Sequence, residues 1–162
     1  MVLKRWFPVL LLAALSVFPA SAATISFLVV ETGIPENAAA ESSSIWESGL
    51  MDVFFDAGHI VSNAPILRLS KEPDKMFPDE VQESFTEALE GGADFFVLAL
   101  LKFQGFPDNP NPRRVSLRLF RTRPYQFMYE ERFNGSPQTV QREEFDAAKD
   151  AARTIISRLR DR

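Results

Sequence analysis

Hydrophobic positions along the chain alternate between runs of strand character and stretches of helical spacing. TISFLVVE, residues 24–31, is a run of β-branched and aromatic side chains that ends at the turn signal Thr32-Gly33-Ile34-Pro35, and it predicts a buried strand. Ile45, Gly49, Leu50, Val53, Phe54 and Ala57 then recur at the spacing of one helical face. Ser44 followed by Glu47 has the form of a capping box, with Asn37 as an alternative N-cap, and Gly58 supplies a left-handed stop. His59 to Ala64 returns to extended structure, since Pro65 disfavours helix at the residue before it. Residues 65–78, punctuated by Pro65, Pro73 and Pro78, read as a connecting segment.

The second half repeats this logic. Val81, Phe85, Ala88 and Leu89 define one face of a helix from about Asp79 to Glu90, which Gly91-Gly92 stops. DFFVLALLKF, residues 94–103, has almost no polar residue and predicts a central strand covered on both faces. After the Pro-, Asp- and Asn-rich loop 104–111, RVSLRLFR (114–121) and QFMYEERF (126–133) alternate as two strands joined around Arg123-Pro124. Ser136-Pro137 offers a cap and first-turn proline for a last helix, with Phe145, Ala148, Ala152, Ile155, Ile156 and Leu159 as its stripe. The pattern predicts an α/β fold: a mixed sheet of about five strands in the order β-α-β-α-β-β-β-α, packed by three helices.

Alternation also constrains the hairpin. Val115, Leu117 and Leu119 must share a core-facing side with Phe127, Tyr129 and Phe133, so facing residue numbers should have an even sum.

The amino terminus changes the picture. Lys4 and Arg5 precede an apolar run from Trp6 to Phe18, and Ala20-Ser21-Ala22 has the small residues a signal peptidase needs. Residues 1–22 therefore read as a signal peptide, with retention as an uncleaved anchor the alternative, and 23–162 as a single α/β domain, exported to the periplasm or secreted. Removing 22 of 162 residues takes Lys4 and Arg5 with it and moves the formal charge from −4 to −6. Acidity of this kind disfavours general binding to nucleic acid or anionic lipid, and no second apolar run has the length for stable membrane insertion. The absence of cysteine excludes disulfides, thiolate chemistry and a lipid anchor on a cysteine.

Candidate chemistry is sparse. His59, the single histidine, falls between helix terminator and strand with no orienting partner or nucleophile in local sequence, so it is read as a boundary residue. Glu80, Glu83, Glu87 and Glu90 fit the solvated face of an amphipathic helix, and Asp108-Asn109-Pro110-Asn111 lacks the acidic end of a calcium loop. One histidine and no cysteine leave little for zinc. No catalytic, cofactor-binding or metal-binding residue is assigned, and no cofactor. Arg113, Arg114, Arg118, Arg121 and Arg123 form the one basic cluster, interleaved with Phe120 and Tyr125. Of these, Arg114, Arg118, Arg121 and Arg123 are the candidate partner contacts, on an outward face without a duty in the core. Trp46 and Phe120, off the cleanest stripes, are expected to add contact area.

A helix ending in Gly58, Gly92-Ala93-Asp94 opening a central strand, and Leu117-x-Leu119 in the next strand together have a known periplasmic look. The chain resembles the domain shared by the curli-secretion lipoprotein, the lipoprotein activators of penicillin-binding proteins and the amino-terminal part of the Tol-system propeller protein. That resemblance implies a non-enzymatic domain which binds envelope partners, whether protein or polymer. The chain departs from the lipoprotein members in having no cysteine to lipidate. An envelope hydrolase using carboxylates from separate elements, or a carrier of a small ligand or metal, are the alternatives.

Overall fold

A computed structural model describes residues 22–35, 38, 40–135 and 140–160. The leader apart from Ala22, the alternative cap Asn37 and the Ser136-Pro137 cap lie outside the described residues. The fold is α/β, a mixed six-stranded sheet with three helices, in the order β-α-β-β-α-β-β-β-α.

Strand β1 (Thr24–Thr32) pairs in parallel with β4 (Phe95–Lys102) on one side. On its other side it pairs in parallel with β2 (Ile60–Asn63) and then with β3 (Leu67–Leu69). The segment expected to be only a connection thus contributes a strand. Pro65 explains the gap: it has no amide hydrogen for the ladder, so one sheet edge is broken into two short strands. β5 (Arg114–Arg121) and β6 (Gln126–Asn134) continue the sheet antiparallel beyond β4.

Helices α1 (Glu41–Asp56) and α3 (Gln141–Arg160) cover one face of the sheet, while α2 (Gln82–Glu90) lies on the other. Ile25, Phe27 and Val29 of β1 join Val97, Ala99 and Leu101 of β4 and Val115, Leu117 and Leu119 of β5 under α1 and α3. Their alternate neighbours Leu28, Val30, Phe96, Leu98, Leu100 and Phe120 pack with Val81, Phe85 and Ala88. Two covered faces are the reason these strands read as continuous apolar runs.

The helix stops behave as the glycines suggest. Gly58 has φ +83°, and the amide of His59 donates to the Phe54 carbonyl at 3.2 Å. Gly92 has φ +81°, and the Ala93 amide donates to the Ala88 carbonyl at 2.9 Å. Both are Schellman closures that need a left-handed residue.

The start of α1 differs from expectation. Ala40 is its N-cap, without a side-chain cap, and Ser44 lies inside the helix. The buried face begins with Ser42, Ser43 and Trp46, whose polar atoms face two carboxylates brought from elsewhere, while Ile45 is only half-buried. A local box signal loses here to tertiary partners that sequence spacing does not display.

The hairpin follows the even-sum rule from Arg114↔Asn134 to Leu119↔Tyr129 and then slips by one at a bulge, where Phe120 faces Phe127. Tyr129 and Phe133 pack against the core under α1 and α3. The bulge turns Phe127 away from that core and onto the Phe120 side, with ring centroids 5.7 Å apart.

Candidate functional site

The arginine cluster is divided by the sheet. Arg118 sits mid-strand on the α2 side of β5, opposite Glu130, with the two side chains only 9% and 14% exposed. Its Nε donates to Glu130 Oε1 at 2.9 Å, and one guanidinium nitrogen donates to the carbonyls of Lys75 and Met76 at 3.1 and 2.8 Å. The 70–78 segment therefore roofs this part of the sheet, and Arg118 fastens the roof. Arg118 has a duty in the interior, contrary to the outward-facing expectation. A lone alternation argument treats the second face of a hairpin as solvent; here a proline-rich segment covers it.

Glu130 also accepts from Ser116 and Arg132, each at 2.8 Å. Burial pushes its carboxyl upward, but the donors Arg118, Arg132 and Ser116 outweigh burial and hold it at about 2. Arg114 is the first residue of β5, half-exposed, 3.8 Å from Glu72, which also pairs with Lys102. The Lys102 hydrogen bond is the main cause holding the Glu72 carboxyl below its ordinary value. Seven residues separate Arg114 from Arg121, about 23 Å of strand. The four arginines do not form one patch.

Arg121 and Arg123 both lie by the β5–β6 turn, but on different faces: Arg121 is opposite Phe95, on the α1–α3 side of the sheet, while Arg123 reaches α2. Arg121 is half-buried; Arg123 is exposed and donates to the Leu89 carbonyl at 2.6 Å, in the last turn of α2, where a cation favours the helix dipole. On the α2 side, beside Arg123, the apolar surface breaks into the open. Tyr125 is 55% exposed, Phe127 40% and Met76 41%. Tyr125 stacks on Phe120 with centroids 6.0 Å and planes 15° apart, and meets Phe85 and Phe77 edge-on at 5.7 and 6.0 Å. Phe77, Phe85, Phe96 and Phe120 form the floor that fixes the orientation of the exposed rings. A rigid aromatic surface edged by the Arg123 guanidinium is suited to contact, because little side-chain entropy remains to be lost there.

Phe120 itself is fully buried, and Trp46 is 3% exposed beneath α1 and α3, so neither offers the contact area expected of it. Trp46 has a structural partner instead. Its indole N–H and the Ser42 hydroxyl both donate to Oε1 of Glu144, at the start of α3. Burial pushes the Glu144 carboxyl above its ordinary value, against the pull of those two donors. Glu31, at the end of β1, accepts from the Ser43 hydroxyl at 2.6 Å and from Arg68 Nε at 2.7 Å. Two buried carboxylates thus meet the first turn of α1. Glu31 was visible as a charge at an inward position of an apolar strand, which must be paired; Glu144 had no such signal. Both are engaged with packing partners rather than with a nucleophile–base–orienter set.

An open cleft of about 540 Å³ lies between the starts of α1 and α3, beside Ser42, Ile45, Asn111 and Arg142. Among the described residues no three His, Cys, Asp or Glu side chains converge on a metal position, and no buried side-chain nitrogen or oxygen lacks a partner. No helix among them is long and apolar enough to cross a membrane. His59 does sit at the helix-to-strand boundary, where its Nδ1 accepts from the Ala23 amide at 3.3 Å.

No protein-family model matches the chain, and no curated protein matches it in sequence. Solved structures of similar fold include TolB from Acinetobacter baumannii, at 14% identity and TM-score 0.49, over 88% of this chain and 29% of that one. The PelC dodecamer from Paraburkholderia phytofirmans is similar at 12% identity and TM-score 0.48, over 85% and 87% of the two chains. A lipoprotein from Neisseria meningitidis is similar at 12% identity and TM-score 0.42, over 83% and 99%. The chain spans less than a third of the TolB chain it matches. These are distant resemblances of fold.

Proposed function

We propose that this chain is a non-catalytic interaction module of the cell envelope, exported by cleavage after Ala22, and that it binds its partner through the β5–β6 turn. The observation that carries the reading is the exposed aromatic surface of Tyr125 and Phe127 beside Arg123, braced from below by Phe120 and Phe85. Aromatic and arginine side chains on a rigid base are the residue types that dominate binding energy at protein interfaces. Arg121 and Arg123 place positive charge on an otherwise acidic chain, which favours an acidic face on the partner, a protein or an anionic polymer.

The test is affinity capture from envelope extract by the wild-type chain and by a variant carrying Arg121→Glu, Arg123→Glu and Tyr125→Ala. The variant should lose a specific set of captured components, and wild-type capture should weaken as salt rises. Identical capture by both chains would contradict the assignment of this surface.

A further inference from the structure

The first residue held by the sheet is also the first residue after the expected cleavage site. Ala20-Ser21-Ala22 places the scissile bond between Ala22 and Ala23. In the fold, the Ala23 carbonyl accepts from the Ile60 amide at 3.0 Å, and its amide nitrogen lies 3.3 Å from His59 Nδ1. The next residue is held from the other side: Thr24 donates to the Asp94 carboxylate at 2.8 Å, while its carbonyl accepts from the Asp94 amide at 2.8 Å. A processing motif and a hydrogen-bonding boundary, read independently, fall on one bond.

We propose that the α-ammonium group released on Ala23 is a ligand of the fold, docked in a site made by His59 and Asp94. The inference rests on the reading that the chain is exported and cut after Ala22. Hydrolysis adds water across the Ala22–Ala23 peptide bond; the oxygen goes to the new carboxylate of Ala22 and the proton balance leaves Ala23 as an ammonium. A single amide hydrogen is thereby replaced by a charged group with three donors. One faces His59 Nδ1, the acceptor of the Ala23 amide, and charge-assisted bonds of this kind are stronger than neutral ones. Asp94 binds the amide of the next residue, Thr24, so its negative charge lies one residue along the chain from the new positive one.

The geometry is selective for this terminus. A chain one residue longer carries its ammonium about 3.3 Å further out, beyond His59, and one residue shorter removes the Ala23 nitrogen that faces Nδ1. His59, which has no place in a catalytic constellation, acquires a role: it recognises the processed end and secures Ala23, the residue before β1, beside the start of β2.

The test uses the exported protein. Intact mass first establishes the amino terminus, expected at Ala23; a terminus elsewhere overturns the maturation reading and the site with it. With the terminus at Ala23, acetylation of the α-amine by a limiting reagent near neutral pH is followed by mass spectrometry in wild type, His59→Asn, His59→Leu and Asp94→Asn. Asn places its Oδ1 where Nδ1 was and restores an acceptor; Leu fills similar space without one. Wild type and His59→Asn should be acetylated severalfold more slowly than His59→Leu, with Asp94→Asn between them, all four showing the same folded circular dichroism. Equal rates in wild type and folded His59→Leu would overturn the docked terminus while leaving the maturation reading intact. If His59→Leu fails to fold, wild type against Asp94→Asn decides it, and equal rates there overturn the site.

Discussion

The two faces of the sheet are built on different principles. Under α1 and α3 the sheet presents an apolar surface from β1 through β5, and its buried charges, Glu31 and Glu144, are confined to the edge where α1 begins. On the α2 face the same strands divide into halves. One half is an aromatic cluster around Phe120 and Phe85; the other is an ionic lattice of Arg118, Glu130, Ser116 and the outer Arg132, tied by Arg118 to the 70–78 segment above it. A helix covers a sheet with side chains and demands an apolar surface. A loop covers it with backbone carbonyls and demands donors, which Arg118 supplies. Basic residues in a strand are therefore not evidence of an exposed surface until it is known what lies above them.

Breaking the lattice should be the largest effect. Arg118→Met should cost about 3–5 kcal/mol by leaving Glu130 charged and deprived of its main partner. Chemical denaturation measures that loss directly. Adding Glu130→Leu should recover much of it, since a well-packed apolar replacement removes the stranded charge. Leu117→Ala, next door but on the opposite face, should cost about 2–5 kcal/mol through the cavity it leaves, with no comparable rescue. Gly49→Ala tests the helical layer: a Cβ there would stand 2.7 Å from that of Ala148, where α1 and α3 cross. The expected loss is about 1–3 kcal/mol, seen as a lower midpoint in urea.

Acid titration should separate the faces by sign. Glu130 has a depressed folded-state pKa, so its contribution is present above the ordinary value of 4.5 and is lost as pH falls toward about 2. Glu144 has a raised one, so its contribution is full below 4.5 and is lost as pH rises through the folded value. Glu144→Gln keeps the acceptor for Trp46 and Ser42, and should raise the melting temperature at neutral pH and lose that advantage in acid. Glu130→Gln should lower it at neutral pH and flatten the loss below pH 4.5. Melting curves collected across this range check both.

How far the sequence carried these distinctions depended on whether a feature was local. Strand β5 and the boundary at Gly58 are legible because residues and spacing alone determine them. Strand β3 was not, because three residues between prolines show no pattern until β1 offers them an edge. The bulge that turns Phe127 around is equally silent, since alternation assumes an unbroken register. Arg121 and Arg123 are candidate contacts on sequence alone, and their role stays a proposal, whereas the burial of Arg118 required knowing that Lys75 and Met76 pass overhead. Tyr125 became prominent only when Phe120 and Phe85 proved to brace it.

The smallest structural effect should accompany the largest functional one. Arg121, Arg123 and Tyr125 lie at the turn, apart from the lattice, and the exposed charge of Arg123 contributes under about 1 kcal/mol to folding. Arg114, about 23 Å away along β5, serves as a charged control. Capture of envelope components by immobilised wild type, by Arg114→Glu and by the Arg121→Glu, Arg123→Glu, Tyr125→Ala variant is the most direct measurement of the central claim. Wild type and Arg114→Glu should retain the same components, and the folded turn variant should lose them. Retention by the turn variant, or equal loss in Arg114→Glu, would contradict a contact surface at the β5–β6 turn.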